Sequence, residues 1–141
     1  MKAKVIPPTP GSYNLEDYEK AYATFDWKDV EKEFTWYETG KVNMAYEAID
    51  RHLLTHRKDK VALLYSGPDR EERYTFAQLS ELSNKFGNVL RSLGVKKGDR
   101  VFVFMPRSPE LYVSVLGTLK IGAIIGPLFE AFMEAAVRDR L

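Results

Sequence analysis

The 141-residue sequence has no cysteine. That absence excludes disulfide scaffolds, thiolate zinc sites, iron–sulfur clusters and cysteine nucleophiles together, and it fits a reducing compartment. Histidine is nearly absent too, with two in the chain. No G-x-x-x-x-G-K-[ST] phosphate loop, G-x-G-x-x-G or G-x-S-x-G is present, so the common phosphate-cradling and nucleophile-elbow signatures are missing. Charge of one sign is lacking as well: 21 basic against 20 acidic residues leave +1. Residues 1–56 carry 7 Lys/Arg and 10 Asp/Glu, and residues 57–141 carry 14 and 10. Neither half has the basic excess of a nucleic-acid module.

The opening Met1-Lys2-Ala3-Lys4 has no apolar stretch behind it and does not read as a signal peptide. One run, Leu111 to Phe129, is long enough to span a bilayer. Lys120, Gly122, Gly126 and Pro127 interrupt it, which predicts a buried helix followed by a buried strand. The chain is therefore expected to be soluble and cytoplasmic, with no membrane and no nucleic acid among its partners.

What is present is the composition of a globular domain, 45% hydrophobic and 29% charged. Two regions follow, an aromatic-rich helical segment over 1–58 and a partial α/β subdomain over 59–141. In the first, Asn14 is expected to cap a helix near 15–23, Asp26 a short helix through Phe34, and Asn43 a longer helix to about His56. The aromatic side chains here, among them Tyr18, Tyr22, Phe25, Trp27, Phe34 and Trp36, are read as anchors onto the α/β body. His52 and His56 stand four apart, a spacing that can hold a metal on a helix, but no third ligand accompanies them. Asp50-Arg51-His52 lacks a nucleophile and reads as an ion pair or a contact to the next element.

From Val61 the pattern changes. Val61–Tyr65, a turn at Ser66-Gly67-Pro68-Asp69, and Arg73–Phe76 predict a hairpin. Thr75 and Gln78 form a capping-box pattern, opening a helix whose apolar face (Leu79, Leu82, Phe86, Leu90, Leu93) runs to Gly94. Val101–Met105 is a continuous apolar run, as a strand covered on both faces would be. Ser108-Pro109-Glu110 starts another helix, Ala123–Leu128 makes a second buried strand, and a last helix is expected from Ala131. The chain would then stop inside that helix at Leu141.

Gly117, Gly122 and Gly126 suit close packing of helix on sheet, or the approach of a ligand to the loop after the last strand. Open α/β sheets bind ligands beyond the carboxyl ends of their strands, which makes Phe129-Glu130-Ala131 the best-placed segment. The fold class is α/β, the opening portion of a doubly wound, mostly parallel sheet with flanking helices and a helical N-terminal segment. With an edge left unpaired, the sheet invites self-association.

Several segments, taken in order, resemble the adenylate-forming acyl-CoA synthetase superfamily. Tyr74-Thr75-Phe76-Ala77-Gln78-Leu79 is similar to its first core motif. Leu119-Lys120-Ile121-Gly122-Ala123 with Pro127-Leu128 is similar to its second. Between them, Gly94–Val101, Met105-Pro106 and Pro109-Glu110-Leu111 match the linking stretch. Asn43, Asp50-Arg51-His52-Leu53 and Pro127–Phe132 with Asp139-Arg140 resemble its acetyl-CoA synthetase branch.

The resemblance implies an AMP-forming acetate–CoA ligase. Acetate or another short carboxylate would be adenylated by ATP with Mg²⁺, and the CoA thiolate would then displace AMP. It also implies that the chain is incomplete relative to the family fold. The phosphate loop, the adenine and ribose contacts and the C-terminal lysine have no counterpart here, so no catalytic residue and no metal ligand is assigned. The chain alone is expected to be inactive, with the rest of the synthetase as its partner. Phe129, Glu130 and Ala131 align with a Phe-Gly-Gly step near CoA; Phe matches, the glycines do not, and Glu130 would repel CoA phosphates. The alternative is a free-standing CoA-, nucleotide- or partner-binding α/β module without catalysis.

Overall fold

The computed structural model describes Leu15 and residues 17–141. The chain divides into two compact units, one ending at Thr39 and the other running Gly40–Leu141. In the first, three short helices follow one another: α1 (Tyr18–Thr24), α2 (Trp27–Glu31) and α3 (Trp36–Thr39). Asp17 caps α1 by accepting from the Lys20 amide at 3.0 Å; Asn14, the expected cap, lies outside the described residues. Asp26 caps α2 as expected, accepting from the Lys28 amide. Aromatic neighbours pair inside this unit. Phe34 stacks on Trp36 at 4.1 Å, and Phe25 meets Trp27 edge-on at 5.0 Å.

In the second unit Asn43 caps α4 (Met44–Ala48). The long helix expected through His56 does not form. Ile49 leaves helical geometry (φ −127°, ψ −61°), and a 3-10 helix, Asp50–Leu54, follows. That break keeps Ile49 in the core while the very next side chain, Asp50, reaches two other helices. His56 falls beyond the helical turns, so His52 and His56 do not share a helix. Among the described residues no group of three or more His, Asp or Glu could hold a metal ion.

The predicted hairpin is present: β1 (Val61–Ser66) pairs antiparallel with β2 (Glu71–Thr75). Thr75 then starts α5 (Phe76–Ser92) with both halves of the capping box, its hydroxyl accepting from the Gln78 amide and the Gln78 side chain accepting from the Thr75 amide. Leu79 and Leu90 are buried in the core, each worth about 1.5–3 kcal/mol relative to exposure. Gly94, at φ 88°, takes the left-handed conformation that ends the helix.

A parallel unit completes the chain: β3 (Arg100–Phe104), α6 (Pro109–Lys120) and β4 (Ile124–Leu128). β3 and β4 pair in register from Arg100↔Ile124 to Phe104↔Leu128. The stretch long enough for a bilayer is thus helix then strand, and among the described residues no helix is long and apolar enough to cross a membrane. Val103, Ala123 and Leu128 are buried, but Phe102, Phe104 and Ile124 are 40%, 52% and 54% exposed. Among the described residues, the cover expected on both faces of these strands is incomplete on the face that carries Phe102, Phe104 and Ile124. The last helix, α7 (Glu134–Arg138), starts three residues later than expected and ends before Leu141. Residues Phe129–Phe132 form a turn instead, closed by the Phe132 amide on the Phe129 carbonyl at 2.9 Å.

Two helices govern how this unit packs. α5 and α6 cross where Gly87 faces Gly117, with Ser83 and Thr118 fully buried beside them. A Cβ on Gly117 would lie 2.7 Å from the Ser83 carbonyl oxygen. The close packing anticipated at Gly117 is therefore helix on helix. Gly126 does serve the sheet: it lies opposite Phe102, whose ring would sit 2.7 Å from an added Cβ.

Candidate functional site

Two places gather chemistry-bearing side chains. The first lies at the carboxyl ends of β3 and β4. Because Phe104 and Leu128 are the last register partners, the following residues leave the sheet side by side. A cleft of about 260 Å³ opens there, lined by Met105, Arg107, Leu111, Pro127, Leu128, Phe129 and Glu130. Phe129 is 55% exposed and meets Phe132 edge-on at 5.7 Å. The Arg140 guanidinium stacks over Phe132 at 4.4 Å, which ties the turn to the end of the chain. Of the three residues singled out from sequence, Phe129 and Glu130 line this cleft, and Ala131 occupies the adjoining turn.

Arg107 escaped the motif reading. Its signal was positional, since it comes three residues after the end of an apolar strand and just before a Ser-Pro helix start. In a parallel sheet that is a carboxyl-end loop.

The second place is polar and lies at the other end of β4. The Lys120 side chain, 10% exposed, donates to Asp50 Oδ1 at 2.7 Å, Asn84 Oδ1 at 2.9 Å and the Ser80 carbonyl at 3.3 Å. Ser80 Oγ donates to the same Asp50 oxygen at 2.6 Å. Asn43 adds its amide to the carbonyls of Leu119 and Lys120, both at 3.2 Å. The 3-10 helix, α4, α5 and the last turn of α6 are joined in one network, beside a groove of about 490 Å³ that also includes Tyr46, Asn88 and Arg91. Every proton of the ammonium has an acceptor, as a cation so little exposed requires. The signal in sequence was a lone lysine in an apolar run, which needs a counter-charge; which one could not be read.

Asp50-Arg51-His52 is not a relay. Asp50 joins Lys120, Arg51 stands 3.6 Å from Glu47, and His52 packs edge-on against Phe76 at 4.9 Å. Burial, ahead of the charges of Arg51 and Arg57, holds the His52 pKa below the ordinary 6.5.

The hairpin, the capped helix and the parallel strand–helix–strand unit together make part of an acyl-CoA synthetase fold. They match the crystal structure of a Brucella canis acyl-CoA synthetase with a TM-score of 0.77 and 34% identity, over 89% of this chain and 23% of that one. Residues 49–141 match the family described as AMP-binding enzyme, and the chain belongs to that family. It is 61% identical over 142 residues to the acetyl-coenzyme A synthetase of Bacillus subtilis (strain 168), covering all of this chain and 25% of that protein. It is 42% identical over 107 residues to a 3-hydroxypropionyl-coenzyme A synthetase of Sulfurisphaera tokodaii, covering 75% of this chain and 16% of that protein. The chain spans about a quarter or less of the length of these relatives.

Proposed function

We propose that this chain is the opening part of an AMP-forming acetate–CoA ligase. The observation that carries the reading is the 61% identity with an acetyl-coenzyme A synthetase along the whole chain. In such an enzyme a carboxylate oxygen, of acetate or another short acid, attacks the α-phosphorus of ATP and pyrophosphate leaves. Mg²⁺ offsets the phosphate charge. The CoA thiolate then attacks the acyl carbonyl and AMP leaves.

This chain's part in that chemistry is structural and, at one point, a binding role. The α5–α6 crossing and the Lys120 network set the frame of the unit Gly40–Leu141, which the short helices α1–α3 precede in the chain. Phe129, Glu130 and Ala131 stand beside the CoA path. The cleft at Phe129 suits a slender, largely apolar thiol-bearing arm; about 260 Å³ is below the size of a site for a whole nucleotide cofactor. The rest of the synthetase is the natural cover for the exposed face of Phe102, Phe104 and Ile124, which in the isolated chain favours self-association. A cysteine-free chain is consistent with the cytoplasm.

The test is acetate-dependent exchange of pyrophosphate into ATP, followed by acetyl-CoA formation, by the natural product of the gene. Both activities are expected there, and neither from the 141-residue chain alone. Absence of exchange in the natural product would overturn the ligase reading. Acetyl-CoA made by the isolated chain would overturn its incompleteness.

A further inference from the structure

Arg107 is an exposed cation that has no ion-pair partner among the described residues, on a loop whose flanking backbone is restrained. It sits between Pro106 and the Ser108-Pro109 start of α6, in a connection of four residues from β3 to α6. Pro106 has its φ locked, and Ser108, preceding a proline, is extended at φ −127° and ψ 167°. The backbone on both sides of Arg107 is therefore restricted before anything binds.

The acidic side chain nearest to Arg107 in sequence is already engaged. Glu110, three residues on, takes the Arg70 guanidinium at 3.2 Å, and Arg70 also reaches Glu72 at 3.3 Å. Asp50 takes Lys120. Among the described residues Arg107 enters no ion pair, not even with Glu130, which lines the same cleft. The other five lining residues, Met105, Leu111, Pro127, Leu128 and Phe129, are apolar.

An apolar-walled cleft at the carboxyl ends of parallel strands, with one uncommitted guanidinium, fits a slender apolar chain that ends in or passes an anionic group. Guanidinium–phosphate contacts are charge-assisted and often bidentate, which makes arginine the suitable cation. Resting on the ligase reading, we propose that Arg107 binds a phosphate of the thiol cosubstrate where its arm passes Phe129, and that Glu130 opposes this contact. The carboxylate weakens the grip on the same phosphate. Affinity at this point is then the difference between an attractive and a repulsive charge. The absence of glycine at 130 and 131, which by resemblance argued against a CoA contact, is offset by a cation on the neighbouring loop.

The test uses the full natural enzyme and separates its two half-reactions. Arg107→Met should raise the KM for CoA about tenfold or more, the size of a lost charge-assisted hydrogen bond. Acetate-dependent ATP–pyrophosphate exchange, which needs no CoA, should stay within about twofold; a uniform loss of folded enzyme would instead lower the rates of both half-reactions alike and leave the KM for CoA unchanged. With pantetheine, which carries the thiol arm without phosphates, the variant and the wild type should perform equally. Arg107→Lys should recover part of the loss, and Glu130→Gln should lower the KM for CoA. An unchanged preference for CoA over pantetheine in Arg107→Met would overturn the proposal. So would equal damage to both half-reactions. A wild-type enzyme with no acetate-dependent exchange would overturn the ligase reading and this inference with it.

Discussion

Lys120 and Asp50, seventy residues apart in sequence, meet at 2.7 Å and form the brace between the 3-10 helix and the last turn of α6. Ser80 and Asn84 of α5 complete the shell. Removing one partner of a little-exposed pair leaves the other charge uncompensated, whereas replacing both removes the problem. Lys120→Met and Asp50→Leu should each destabilise by about 3 kcal/mol, and the double variant by clearly less than the sum. Urea melts of the four proteins check this. Strict additivity would mean that the two residues do not act as a pair.

The helix crossing at Gly87 and Gly117 is tight unequally. A Cβ on Gly117 meets backbone at 2.7 and 3.1 Å, whereas one on Gly87 meets its nearest neighbours at 3.2 Å. Gly117→Ala must push the helices apart and should cost about 1–3 kcal/mol. Gly87→Ala should cost less, because alanine's better helix propensity returns up to about 1 kcal/mol. Equilibrium unfolding of the two variants gives the order directly.

The capping box at Thr75 supplies two hydrogen bonds, of 2.9 and 3.2 Å, to the start of the longest helix. Thr75→Ala removes the hydroxyl acceptor and should cost about 1 kcal/mol, while Thr75→Ser should be close to neutral. A Thr75→Ala melt that overlays the wild type would show the box to be idle.

His52 makes stability depend on pH with a definite sign. Its folded pKa lies below 6.5 through burial first and then the charges of Arg51 and Arg57. The unfolded chain therefore takes up the proton first as pH falls. The contribution of the neutral ring is complete above about 6.5 and is lost as pH drops from there through the folded value. Comparing the wild type with His52→Gln between about pH 7.5 and 5 should show a downward slope on acidification in the wild type that the variant lacks. Equal slopes would remove His52 as the cause.

Much of the local structure was legible. The hairpin, the box at Thr75 and Gln78, the Ser-Pro start at Ser108-Pro109 and the two apolar strands all depend on neighbours a few residues apart. The break at Ile49 was not legible, because a helix-compatible stretch gives way there to a contact between Asp50 and residues thirty and seventy positions later. The start of the last helix was missed for a similar reason. The turn at Phe129–Phe132 and the stacking of Arg140 on Phe132 hold those residues outside the helix.

At the candidate site, the order of motifs was enough to point to Phe129 and Glu130, yet Arg107 went unremarked. Its place beside them follows from the parallel register of β3 and β4.

The sequence by itself determined the hairpin, the two long helices, the parallel strands, their order and the family. Caps, turns and hydrophobic periods are set by residues within a turn or two of one another. Only the tertiary structure decided which charges meet. A lysine in an apolar run demands some carboxylate, but the choice of Asp50 depends on how α5, α6 and the 3-10 helix cross. The pairing of Phe129 with Arg107 in one cleft likewise depends on two strands ending at the same level, a relation between distant segments that no local pattern encodes.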